Sequence, residues 1–250
     1  LSSPELLEGN WQKYVKIANK YNDPGKFTTL IAFEWTSIPN GRNMHRNVFF
    51  RNDTGPTAPY SSFDSFHPED LWTYLEAQRD IGKETFAIPH NGNVSDGWMY
   101  SPNKFLAGPM DARYAKRQQL NEPLTEIIQT KGSSDTHPAM SPNDEFADYE
   151  TWDKSNLNGT EAKKPEMLQY EYTREALQTG LKLEEKLGVN PFKVGMIGST
   201  DSHTSLVTAD EDNFFGKHSG AEPSPGRASH PFMETDAGRL MGGDMVSSGY

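Results

Sequence analysis

The stretch that decides the fold runs from Val194 to His203 and reads Val-Gly-Met-Ile-Gly-Ser-Thr-Asp-Ser-His. Its apolar first half predicts a buried strand, and the loop that follows carries Asp201 and His203. In β/α barrels, side chains at the carboxyl ends of parallel strands converge on one site, where a carboxylate and an imidazole can bind a divalent metal. The alternative is that Asp201 caps a turn and His203 lies on the surface. Because three segments upstream also end in possible metal ligands, we favour a metal-binding pair.

Three apolar segments upstream also end in a residue that can bind metal. They are residues 30–33 before Glu34, residues 86–89 before His90, and residues 124–130 before the loop that holds His137. Glu34 lies between two aromatic residues, so it needs either an arginine partner or a position between two metals. His90 is either a turn histidine or a ligand, and His137 is either a ligand or exposed to solvent. Asp135 is an alternative ligand in the same loop.

Basic residues near the first and third of these segments predict an anion-binding patch. Arg42 and Arg46 flank His45, and guanidinium groups bind phosphate or carboxylate in a bidentate manner. A place in this patch suits His45 better than metal ligation, and Lys131 would add to the patch. The alternative is a solvated charge cluster, with Arg42 or Arg46 paired to Glu34.

Composition limits the class of protein. The chain has 250 residues and a formal net charge of −11, which argues against a nucleic-acid-binding protein. It contains no cysteine, so a metal site must use histidine, carboxylate and water. No apolar run is long enough to span a membrane. Neither end of the sequence resembles a natural terminus, and we expect a fragment of a longer chain.

The order of helical and strand patterns is α-β-β-α-β-α-β-α-β, which predicts a parallel sheet with helices outside it. Helices are predicted over residues 10–22, from Pro68 to Gly82, over 110–120 and over 171–187, and another is predicted to begin at Ser141. Strands are predicted over residues 27–34, 47–51, 86–89, 124–130 and 194–199. Residues beyond 216 show no periodicity and are predicted to be irregular.

Taken together, several motifs resemble the DUF3604 family. They are Phe33-Glu-Trp-Thr-Ser37, His45-Arg-Asn-Val48, Ile88-Pro-His-Asn-Gly-Asn93, Gln129-Thr-Lys-Gly132, His137-Pro138, Gly198-Ser-Thr-Asp-Ser-His203 and Asp212-Asn-Phe-Phe-Gly-Lys217. The family looks like a branch of the polymerase and histidinol phosphatase (PHP) superfamily. The resemblance implies an α/β fold, namely part of a distorted (β/α)7 barrel with long loops. Residues 1–217 would form its C-terminal portion, and 218–250 an irregular segment of the same domain.

The resemblance also implies a metal site with two or three divalent ions, Zn, Mn or Fe. Glu34 would be the bridging carboxylate, His90 and His137 would be ligands, and Asp201 and His203 would be the final pair. The superfamily's His-x-His and Thr-Asp-His motifs do not occur before Glu34. We therefore expect the first barrel strands to lie upstream, and the metal site of the isolated piece to be incomplete.

The resulting expectation is a metal-dependent hydrolase, specifically a phosphoesterase, with Glu34, Asp201 and His203 as catalytic residues. Its substrate would be a small anion, held by Arg42, His45, Arg46, Asn91, Asn93 and Lys131. Two alternatives stay open: hydrolysis of C–N or C–O bonds, and a non-catalytic domain that binds a sugar or small anion through Trp35, Trp98, Tyr100 and Arg46. We expect neither nucleic acid nor membrane as a partner. Oligomeric state and compartment, cytoplasmic or exported, stay open.

Overall fold

The computed structural model describes residues 4–51 and 53–203, and four further residues in two short strands. It is a mixed α/β structure. The elements in chain order are α1 (Pro4–Tyr21), β1 (Ile31–Trp35), β2 (Arg46–Phe50), α2 (Pro68–Asp80), β3 (Thr85–Pro89), α3 (Ala112–Asn121), β4 (Leu124–Gln129), β5 (Gly132–Ser133), α4 (Pro165–Leu168), α5 (Thr173–Leu187), β6 (Gly195–Gly198), β7 (Met233–Glu234) and β8 (Leu240–Met241).

The first sheet has the order β1-β2-β3, and β2 runs antiparallel to both neighbours. Trp35 at the end of β1 lies opposite Arg46 at the start of β2, and Arg46 lies opposite Pro89 at the end of β3. The prediction of a uniformly parallel sheet is therefore wrong here. A short connection from β1 returns the chain directly into β2, as an antiparallel pair allows. As a result, the ends of β1 and β3 and the start of β2 share one edge.

The second sheet has the order β5-β4-β6. The strands β4 and β6 are parallel, with Glu126 opposite Ile197, whereas β5 turns back against the end of β4. The hydroxyl of Thr125 in β4 donates to the carbonyl oxygen of Pro89 in β3 over 3.4 Å, so the two sheets adjoin there. The exits of β4 and β6 therefore lead towards the same region as the exit of β3.

The described strands form two adjoining open sheets and no closed barrel. The structure therefore shows a mixed α/β fold with small sheets, and the distorted (β/α)7 barrel stays a prediction.

One hydrophobic core lies between α1, α2 and the first sheet. The helix α1 contributes Trp11 and Val15, and the Trp11 Nε1–H donates to the Pro56 carbonyl over 2.8 Å. The helix α2 begins at Pro68 as predicted and buries Leu71, Trp72 and Leu75. Each such side chain contributes about 1.5–3 kcal/mol when fully buried. This core fixes the first sheet against its helices.

A second core lies between α3, α5 and the loop after β3. Its buried members are Met99, Tyr100, Met110, Ala115, Ala176, Leu183 and Phe192. The helix α5 ends at Gly188, whose φ of 73° is the left-handed conformation common at helix ends. This core anchors the long loop over residues 91–111, which begins after β3 at the shared edge of the first sheet.

The predicted helix beginning at Ser141 is wrong, because residues 141–150 form turns. Asp144 Oδ1 accepts from the Phe146 backbone N–H, which closes a local turn instead of a helix. Phe146 and Tyr149 are largely exposed, so a helix here would have no apolar face to bury.

Beyond residue 203 the structure describes only β7 and β8, which pair with each other. The predicted domain boundary at residue 217 and the motif over residues 212–217 lie outside the described residues. Within the described part, no helix is both long enough and apolar enough to cross a membrane.

Candidate metal centre

Glu34, His45 and His90 meet at the shared edge of the first sheet. Their potential ligand atoms all lie within 4.8 Å of one another. Glu34 Oε1 is 2.7 Å from His45 Nδ1 and 3.1 Å from His90 Nε2. The two imidazole rings are nearly perpendicular, with centroids 5.4 Å apart. Both histidines are buried, whereas the Glu34 side chain is 29% exposed, so the cluster opens to solvent on the Glu34 side.

The strand directions explain this meeting. Glu34 lies at the end of β1, His45 precedes β2 by one residue, and His90 follows β3 by one residue. Because β2 is antiparallel, its start lies beside the ends of its neighbours. Side chains alternate between the two faces of a sheet, and these three positions fall on the same face. The buried Asn43 also donates from Nδ2 to the His90 carbonyl over 2.6 Å, which holds the loop before β2 against the exit of β3.

The protonation states of the cluster suit a cation. Burial raises the pKa of Glu34, but the nearby imidazoles of His45 and His90 outweigh it, so that the pKa lies well below its ordinary value. Burial lowers the pKa of His45, and the nearby Glu34 offsets this only in part. An ionised carboxylate and a neutral imidazole are the forms that bind metal.

Four further ionisable residues lie on the β4 and β6 side of this cluster. Lys131 Nζ contacts Asp201 Oδ2, and Asp201 Oδ1 is 2.9 Å from His203 Nε2. The Lys131 charge also acts on His45 and on Glu126 in β4. Burial raises the pKa of Glu126 to about 7; the charges of His90 and Lys131 oppose the rise, and that of Asp201 adds to it. The exits of β4 and β6 thus lie beside the cluster, but Asp201 and His203, which were predicted as ligands, are not among the three residues whose ligand atoms meet there.

The turn after His90 connects the two sides of the site. Asn91 has a φ of 51°, and its Oδ1 accepts from Gln129 Nε2 over 2.6 Å. Gln129 Oε1 in turn accepts from the Lys131 backbone N–H over 2.7 Å. Left-handed backbone at non-glycine residues is uncommon and is costly to maintain. Asp201, with a φ of 56°, also has a left-handed backbone. Asn91 Nδ2 is buried and has no hydrogen-bond partner among the described residues.

Asn93 has a structural role instead of facing a substrate. Its Nδ2 donates to the carbonyl oxygens of Lys131 and Trp152, and its Oδ1 accepts from the Ser134 hydroxyl. The whole side-chain amide is therefore used to join the loop after β3 to the loop after β4. The prediction that Asn93 contacts substrate has no support in this geometry.

The structure places His137 outside the cluster. Its Nε2 is 3.0 Å from Asp153 Oδ2, and its Nδ1 accepts from the Ala139 backbone N–H over 3.1 Å. Its ring packs against Tyr172, with centroids 5.4 Å apart. Both nitrogens of the expected ligand are thus occupied by the protein.

The two arginines of the predicted anion patch also bind elsewhere. Arg46 is 1% exposed; its Nε lies 3.0 Å from Glu122 Oε1, and its Nη1 donates to the Met44 carbonyl. Arg42 Nε is 3.3 Å from Asp96 Oδ2. Neither pairs with Glu34, and the patch is not assembled as predicted.

Sequence reasoning assigned His45 to the anion patch instead of the metal site, and it did not include Glu126 among the site residues. The signal for Glu126 was strand alternation, which turns it away from Thr125 and Ile127. For His45 the signal would have been the direction of β2, which strand periodicity does not encode.

The residues of the cluster fit a divalent cation. Two imidazole nitrogens and a carboxylate oxygen are donors that zinc and similar metals accept. His45 Nδ1 and Glu34 Oε1 are close but poorly aligned for a hydrogen bond. In addition, His45 Nε2, His90 Nδ1 and Glu126 Oε1 are buried without a hydrogen-bond partner in the described part of the chain.

Comparisons with known proteins give one match. A family model described as "Protein of unknown function (DUF3604)" matches residues 2–250. The search of curated proteins and that of solved structures gave no match. The family model covers almost the whole length, and the chain accordingly belongs to the DUF3604 family.

Proposed function

We propose that this chain carries the metal centre of a hydrolase, and that the substrate is a phosphoester. The observation that carries the proposal is the convergence of Glu34, His45 and His90, with ligand atoms within 4.8 Å of one another. These three residues would hold a divalent cation, Zn, Mn or Fe. Such a cation supplies Lewis acidity, which makes water more acidic and neutralises charge on a phosphoryl oxygen.

The number of ligands favours a catalytic over a structural metal site. Structural zinc sites are closed by four protein ligands, whereas catalytic sites commonly have three and keep a position open. The cluster has three, and Glu34 is its solvent-exposed member. Glu126 and Asp201 add two carboxylates on the Lys131 side, which are the donors that a second cation would need.

Lys131 supports an anionic substrate. Its side chain is 10% exposed, and Asp201 holds its ammonium group beside the cluster. A lysine ammonium is a strong point charge for a phosphate oxygen, and it gains strength where water is scarce. Since both arginines are engaged elsewhere, Lys131 is the cation of the predicted patch that remains at the site.

The superfamily resemblance extends the proposal to the fold. We propose that the two sheets belong to a distorted (β/α)7 barrel of the PHP type. The parallel pair β4 and β6, and the common direction of β1 and β3, support this. The position of His137 departs from the superfamily's ligand order, so the Glu34–His45–His90 cluster is the better-supported part of the site.

Hydrolysis assays on the metal-loaded 250-residue chain test the proposal. We expect p-nitrophenyl phosphate to be hydrolysed with added Zn or Mn, and His45→Ala to abolish the activity. The variant His67→Ala, which lies outside the cluster, serves as the control. Hydrolysis of p-nitrophenyl acetate or a p-nitroanilide without phosphoester hydrolysis would contradict the assigned bond type. No hydrolysis of any of these by metal-loaded protein would contradict the catalytic assignment.

A further inference from the structure

A cavity of about 390 Å³ lies between the loop after β3 and the segment that contains α4. Its lining includes Arg42 but none of the three residues of the metal centre. Its volume is in the range of pockets that bind small molecules, roughly 300–1,000 Å³. The cavity is thus a separate place for a ligand.

One part of the cavity lining is aromatic and apolar. Trp98, Met167 and Tyr170 form this part. The Trp98 ring packs edge-on against Phe105, with centroids 5.6 Å apart, which restricts its orientation. An indole face held in this way offers a flat apolar surface.

Charged groups in the lining largely neutralise each other. Arg42 pairs with Asp96, and Asp96 Oδ2 also accepts from Asn156 Nδ2 over 3.1 Å. Lys164 pairs with Glu161. With Glu166, the lining has two bases and three acids, so it does not favour an anion.

A buried pair of ionisable residues, Lys163 and Glu171, holds one lining residue of the cavity, Gly97. Lys163 Nζ is 2.5 Å from Glu171 Oε1 and also donates to the Asn93 carbonyl. Glu171 Oε1 accepts from the backbone N–H of Gly97, which lines the cavity. A lining held by such contacts is preorganised, which lowers the entropy cost of binding.

We propose that this cavity binds the hydroxyl-rich ring of a carbohydrate. A hydroxyl group is both a donor and an acceptor, so a sugar needs both kinds of partner. Arg42 supplies donors, Glu166 supplies acceptors, and the Asn103 amide supplies both. The C–H face of the ring would pack on Trp98. A wholly apolar ligand would desolvate the charged groups without replacing their water.

Saturation-transfer NMR with named probes tests the inference. The probes are D-glucose, D-galactose and D-mannose, with cyclohexanol and inorganic phosphate as comparators. We expect saturable binding of at least one sugar and none of either comparator. Trp98→Ala should weaken sugar binding about threefold to tenfold. Asn103→Ala, at an exposed position that leaves folding intact, should weaken it too, whereas Phe63→Ala at another exposed position should not.

The same experiment distinguishes sugar binding in the cavity from metal binding at the Glu34 cluster. Sugar binding should persist in Glu34→Gln and in the presence of EDTA, because the cavity contains none of the metal-centre residues. Absence of saturable binding for all three sugars would overturn the inference. Equal binding of cyclohexanol or phosphate, or sugar binding that is unchanged in both Trp98→Ala and Asn103→Ala, would also overturn it.

Discussion

At the scale of single residues, His45 and Arg46 at the start of β2 face opposite sides of the first sheet. Alternation along an extended chain sends His45 to the metal centre and Arg46 to the helical side. There Arg46 meets Glu122, which also accepts from Trp72 Nε1 over 2.7 Å. Arg46 is therefore part of the structural core, although its neighbour contributes to the site.

Arg46→Met should destabilise the protein strongly without changing its affinity for phosphate. The variant leaves the Glu122 carboxylate buried without its ion-pair partner, which typically costs about 3–5 kcal/mol. Urea denaturation measures the free energy of unfolding, and a phosphate titration under native conditions measures the affinity.

The double variant Arg46→Met/Glu122→Gln is the matched control for this prediction. It also removes the Glu122 charge, which the single variant leaves buried without a partner, so it should recover much of the lost stability. A single variant as stable as wild type, or one that loses phosphate affinity while folded, would show that Arg46 has the substrate role instead.

His137→Ala should leave metal binding at the Glu34 cluster unchanged. Its ring nitrogens contact Asp153 and Ala139, so the variant should lose about 1 kcal/mol of unfolding free energy from these contacts. Zinc titration by calorimetry, with thermal denaturation alongside, separates the two effects. Loss of zinc binding in a folded His137→Ala protein would return His137 to the ligand set.

At the scale of elements, the loop after β3 holds His90 and Asn91 in place through close packing. A Cβ at Gly92 would lie 2.5 Å from the Glu171 carbonyl oxygen and 2.8 Å from Tyr100 Cε2. Only glycine fits this turn unless the backbone shifts. The loop after β3 therefore packs closely against the segment before α5.

Gly92→Ala should destabilise the protein by about 1–3 kcal/mol, the usual cost of overpacking. Gly108→Ala is the matched control, because a Cβ there meets nothing within 4 Å. Chemical denaturation of both variants measures the difference. Equal stabilities would contradict the close packing of the loop against the Glu171 carbonyl.

Apolar periodicity and helix-start signals were sufficient to predict most elements. The Pro68 helix start, the Gly188 helix end and the exits at His90 and Asp201 follow from local signals, and all appear in the structure. The direction of β2 has no local signal, because an antiparallel and a parallel strand can have the same pattern. The place of His45 depends on that direction, and so do the separate partners of Arg46. Neither the position of His45 nor the partners of Arg46 could be predicted without the tertiary structure.

At the scale of the whole molecule, the site lies where the two sheets adjoin, and the loop after β3 contacts buried ionisable residues. One of them is Glu171, whose carboxyl is fully buried beside Lys163. Burial raises its pKa to about 7, and the charge of Lys163 offsets only part of the rise. Its ordinary value is 4.5.

The Glu171 contribution to stability should therefore fall as pH rises. Between the ordinary and the raised pKa, the folded protein holds a proton that the unfolded chain has released, so this contribution is greatest at low pH and is lost as pH passes through about 7. Denaturation of wild type and Glu171→Gln at pH 5 to 8 measures it. The stability of wild type relative to the variant should decrease across this range. The exposed-site variant Glu185→Gln is the control, and a wild-type advantage that grows with pH would contradict the assignment.

The most direct test of the central claim is metal content by inductively coupled plasma mass spectrometry, with zinc affinity by calorimetry. Wild type is compared with Glu34→Gln, His45→Ala and His90→Ala, and with His67→Ala as control. Removing even an outer partner of a metal ligand costs 10- to 100-fold in affinity, so each cluster variant should lose at least about 100-fold. The account predicts bound metal in wild type and His67→Ala, and none in the three cluster variants. Wild-type protein without metal, or folded His45→Ala with undiminished affinity, would contradict it.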